Sequence, residues 1–122
     1  MSSEDAGADG DALGDALSAW LAGGDGPDRA VLRAAVKESL AALARAAPGR
    51  SVEVRVPPFG AVQCVAGPRH GRGTPPNVVE TDARTWLALA AGVLSWDEAV
   101  QDGALRASGS RTGEVARHLP LH

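Results

Sequence analysis

The chain has 122 residues, enough for one domain of ordinary size. Its 24 Ala and 15 Gly inflate the apolar count, so with three Trp, one Phe and no Tyr the core has to be built from Leu, Val and Ala around a few indoles. No apolar run reaches the roughly 20 residues that span a bilayer, which excludes a helical membrane protein and membrane insertion. The start Met1-Ser2-Ser3-Glu4-Asp5 reads as no secretory leader, and the lone Cys64 allows no internal disulfide, so a cytoplasmic location is expected.

The net charge of −3 divides unevenly: residues 1–28 hold seven acids and no base, whereas the rest holds twelve bases and eight acids. An acidic tail on a modestly basic body reads mainly as a solubility device. Residues 1–10 have nothing to bury and are expected to be a disordered acidic tail, leaving 11–122 as one domain.

From Asp11 to Ala22, Leu13, Leu17, Trp20 and Leu21 recur at helical spacing and predict a short amphipathic helix that Gly23-Gly24 stops. Pro27, tolerated in a first turn, opens a longer helix to Ala47, striped by Leu32, Val36, Leu40 and Leu43. The period then drops to two. Val52, Val54 and Val56 alternate with Glu53 and Arg55, predicting a strand with one wet face, hairpin-paired through Pro57-Pro58-Phe59-Gly60 to a strand over 61–66. Residues 67–76, with three Gly and three Pro, are a loop, and Asn77–Glu80 a short third strand. Thr81-Asp82 cap a helix to Gly92; Ser95 and Glu98 form a capping box for another that ends at Gly103. Leu105–Ser108 is a fourth strand and Thr112–Leu119 a closing helix before Pro120. This order predicts an α+β layer arrangement.

Residues 81–109 read T-x-x-x-x-W-L-x-L-x-x-G-x-L-x-W-x-x-A-V-x-x-G-x-L-x-A-x-G. With V-E-V-R-V-P-P-F-G-A-V-Q-C-V and P-N-V-V-E-T-D before it, this run resembles the sterol carrier protein family, in particular its small bacterial and actinobacterial single-domain members, over about residues 28–121. The C-terminal domain of mycothiol-dependent maleylpyruvate isomerases is similar to the same fold. The resemblance implies a curved mixed sheet of about four to five short strands covered by helices, with Gly92 and Gly103 as helix stops and Gly109 at a strand end. It also implies an apolar, lipid-holding cavity between the layers, and no catalytic motif. The residues placed to line such a cavity are Val62, Cys64, Val79, Trp86, Leu89, Trp96 and Leu105.

Chemistry-bearing constellations are sparse. Cys64 lies in an apolar strand without a base at motif spacing and reads as a small buried hydrophobe. Pro120 keeps His118 and His122 off a common helix face, and scattered histidines without a Cys-x-x-Cys make no metal site. Asp97 and Glu98 suit a helix N-terminus. Arg69, His70 and Arg72, in the Gly/Pro-rich loop, are the candidates for holding an anionic head group, against the plainer reading of a solvated basic loop. No aromatic residue interleaves with those bases, so nucleic acid is not an expected partner. Trp86 and Trp96 are core residues or cavity walls. The sequence therefore supports a non-enzymatic, cofactor-free protein binding a lipid-like or acyl ligand. The alternatives are an interaction or dimerisation module using the helix Leu13–Leu21, or an accessory to a thiol-dependent enzyme.

Overall fold

The computed structural model describes residues 17–67 and 77–121. Residues 17–21 are helical (α1), followed by α2 (Arg29–Ala46), β1 (Val52–Val56), β2 (Gly60–Cys64), β3 (Val78–Thr81), α3 (Ala83–Ala91), α4 (Trp96–Gln101), β4 (Leu105–Ser108) and a closing 3₁₀ helix, η1 (Thr112–His118). The four strands form one mixed sheet in the order β2-β1-β3-β4. β1 and β2 are the expected antiparallel hairpin, pairing Val54 with Val62, whereas β3 runs parallel to β1 and antiparallel to β4. The fold is α+β, a mixed sheet covered by helices.

Strand alternation decides which face is covered. Val52, Val54 and Val56 are buried while Glu53 and Arg55 are half-buried, so the valines turn toward the helices. They join Val36, Leu40 and Leu43 of α2 and Trp86 and Leu89 of α3 in one continuous core. The opposite face is polar, with an Arg55–Glu53 ion pair and an Arg106–Glu80 pair at 2.7 Å between adjacent strands.

Helix ends follow local chemistry. Asp82 caps α3 by accepting from Thr85 N–H at 2.8 Å, and the expected capping box is formed by Ser95 and Glu98. Gly92 and Gly103, at φ 79° and 73°, end α3 and α4. The following residues, Val93 and Ala104, donate back to Ala88 and Ala99, which is the pairing of a Schellman stop. Gly109 also takes a positive φ, 101°, after β4.

Several boundaries differ from the sequence expectation, among them β3, which is Val78–Thr81 rather than 77–80. α2 starts at Arg29, with Asp28 as its N-cap and Pro27 one residue further out. The closing helix is 3₁₀ rather than α, a seven-residue turn run ending before Pro120. β2 ends at Cys64 rather than 66, because Val65 adopts φ 67°, a left-handed conformation that a β-branched residue rarely takes. A clasp holds it there. Val65 N–H donates to Ala47 O at 2.7 Å, and the Val65 carbonyl accepts from Ser51 N–H at 3.1 Å and from the Ser51 hydroxyl at 2.6 Å. Buried Asn77 ties the neighbouring strand end into the same region. Its amide donates to Ser51 O at 2.9 Å, and its side-chain oxygen accepts from Arg111 N–H at 3.0 Å.

Candidate functional site

The chain reverses direction between α3 and α4, and that reversal makes a groove. After the left-handed stop at Gly92, Val93 is exposed and Leu94 packs against the core before Ser95 starts α4. On the far side the C-terminal strap lies across the end of α3, fastened by Leu121 N–H to Ala90 O at 2.9 Å. Ala116, within η1, and Leu119, its extended C-cap residue, both line the groove. The result is a cleft of about 350 Å³, floored by Leu89, walled by Leu94, Trp96, Leu119 and Pro120, and open along one side.

Its lining is mostly apolar. The polar groups, Ser95 and Glu98, are engaged with each other: the Glu98 carboxylate accepts from Ser95 N–H at 3.3 Å, and the Ser95 hydroxyl accepts from Glu98 N–H at 3.1 Å. Two other clefts are more polar. One, of about 410 Å³, lies among Pro57, Thr81, Asp82 and Arg106; the other, of about 350 Å³, runs along β4 past Val78 and Ser108. Neither offers an apolar chain a comparable surface.

The seven cavity candidates separate in space. Leu89 and Trp96 line the groove together. Cys64, Val79, Trp86 and Leu105 line none of the three clefts and are packed in the core, and Val62 is half-buried against it. Trp86 is 1% exposed, and its indole N–H donates to the Ser39 hydroxyl at 2.8 Å. The Ser39 hydroxyl lies 2.7 Å from Ala35 O and 3.0 Å from Val36 O. That network fixes Trp86 between α2 and α3. Arg69, His70 and Arg72 lie outside the described residues, as do Leu13 and His122. Of the N-terminal amphipathic stripe, Leu17 is buried, and Trp20 and Leu21 pack against the core.

Burial pushes the Cys64 thiol up from its ordinary range to about 11, so near neutral pH it stays protonated and non-nucleophilic. Among the described residues no group of three His, Cys, Asp or Glu side chains is placed to hold a metal ion. No helix among them is long and apolar enough to cross a membrane.

Sequence reasoning did not find Val93, Leu94, Ala116, Leu119 or Pro120 as groove walls. A signal exists in retrospect. Apolar residues directly after a left-handed glycine, and again around a C-terminal proline, have no helical stripe to join and must pack with one another.

The bacterial SCP ortholog family model matches residues 28–121. The match covers most of the chain, and the protein belongs to that family, a sterol carrier protein-like one. No curated protein matches the chain.

Proposed function

Proceeding from membership in that family, we propose that the protein is a non-enzymatic cytoplasmic carrier that takes the apolar chain of a lipid-like or acyl ligand into the groove between α3, α4 and the C-terminal strap. The observation that carries this reading is the groove itself, because an apolar, Trp-walled cleft at the lower end of the size range of small-molecule sites suits one apolar chain. Each methylene moved from water into it contributes about 0.8 kcal/mol. A chain of six or seven buried methylenes therefore gains about 5 kcal/mol before the cost of ordering it, the scale of a modest carrier affinity. Arg69, His70 and Arg72 are the residues proposed to receive an acidic head group. The reading gives Cys64 no chemistry and needs no cofactor.

The test is a tryptophan fluorescence titration with a fatty acid and the fatty alcohol of the same chain length. Saturable change is expected in the wild type. It should be lost in Ala116→Trp, which fills the groove, and its Trp96 component should be lost in Trp96→Phe. Arg69→Ala with Arg72→Ala should weaken the acid by about 1–3 kcal/mol and leave the alcohol unchanged. Absence of saturable binding for both ligands in the folded protein refutes the reading.

A further inference from the structure

The groove face is both apolar and charge-segregated. At its edge Val93 is 60% exposed, and Val100, one helical turn beyond Trp96, is 44% exposed. These are two of the large apolar residues that the described surface leaves in water. The α4 flank is acidic, with Asp97 and Glu98 in its first turn, both exposed. The opposite flank carries the guanidinium of Arg117, exposed in the last turn of η1. Arg117 directly follows Ala116, which lines the groove. The one acid on that flank, Glu114, is engaged by Arg111 at 3.2 Å.

A protruding apolar side chain, a groove beside it, and opposite charges on the two sides make a surface complementary to itself. A two-fold axis through the groove lays the acidic flank of each copy over the basic flank of the other, and sets each Val93 toward the other copy's groove. We infer that this face is an isologous interface between two copies of the chain. The charge segregation selects the occupant: a helix of one sign or an uncharged surface would leave one flank facing a like charge or none. The interface itself goes beyond the ligand reading and does not depend on it.

The test is sedimentation velocity on the full-length, ligand-free chain at about 0.1 mM, a concentration that populates complexes of modest affinity. The wild type is expected to sediment at twice the 12.4 kDa chain mass. Val93→Asp, at an exposed position, should raise the dimer dissociation constant at least about tenfold with an unchanged circular dichroism spectrum. Asp97→Lys and Arg117→Asp should each do the same alone. Mixed one to one, these two variants should form a heterodimer, because every two-fold-related contact then joins opposite charges. A monomeric wild type overturns the inference, as does a dimer indifferent to Val93→Asp. Failure of the mixture to reassociate overturns the two-fold pairing of the flanks. Ligand titration of the same samples is a separate readout, so a failed dimer and a failed ligand site are told apart.

Discussion

Replacing Ser39 by Ala should destabilise the protein without touching the groove, because it strands the indole N–H of Trp86. In the native structure that N–H has the Ser39 hydroxyl 2.8 Å away, and the tryptophan is 1% exposed, so water cannot take over. A buried donor left without an acceptor costs about 1–3 kcal/mol. Alanine returns about 0.5 kcal/mol through its better helix propensity within α2. The net expectation is a loss of about 0.5–2.5 kcal/mol, or about 2–10 °C in melting temperature for a chain of this length. Circular dichroism melts of wild type, Ser39→Ala, Trp86→Phe and the double variant close a mutant cycle, and the two residues should be coupled by about 1 kcal/mol. Ligand affinity should be the same in Ser39→Ala and the wild type, since Trp86 lines none of the three clefts described. A Ser39→Ala variant as stable as wild type, or a cycle with zero coupling, refutes the account of Trp86 as a hydrogen-bonded core post.

Gly49→Ala should be among the most damaging single changes. Its φ is 149°, and an added Cβ would lie 2.2 Å from the carbonyl carbon and oxygen of Val65, the same carbonyl that Ser51 holds with two hydrogen bonds. Relief requires breaking that clasp, so a loss of about 3 kcal/mol or more is expected in urea denaturation, while Gly113→Ala, with nothing within 4 Å of the added carbon, should change stability by under about 0.5 kcal/mol. Cys64 supplies an alkaline signature. Unfolded, its thiol ionises near its ordinary value of about 9, and folded it holds its proton to about 11. Its contribution to stability is therefore intact below about pH 9 and shrinks as pH rises to about 11, by about 2–3 kcal/mol in all. Denaturation of Cys64→Ala across that window should lack this component, and identical pH slopes for the two proteins would show that burial does not shift the thiol.

Much of this protein is written in short-range patterns. The alternation of Val and charged residues over 52–56, the Ser95–Glu98 box and the glycines after α3 and α4 each settle backbone geometry within a few residues. The strand and the helix ends they mark, and with them the α+β class and the family resemblance, were legible from the sequence. What was not legible depends on residues far apart in the chain. The parallel pairing of β1 with β3 joins segments about 25 residues apart, and nothing in either strand specifies its direction. Val65 reads as a strand residue and is turned out of the strand only because Ser51, Ala47 and Gly49 close around it. Trp86 and Trp96 look equivalent in sequence, each an indole on one of two consecutive helices. Packing separates them: α2 brings Ser39 to the indole of Trp86 and seals it in the core, while the C-terminal strap stops beside Trp96 and leaves it as a wall. Periodicity determines which side of an element is apolar, but whether that side is filled or left as a groove is decided by the partner element that tertiary packing places against it.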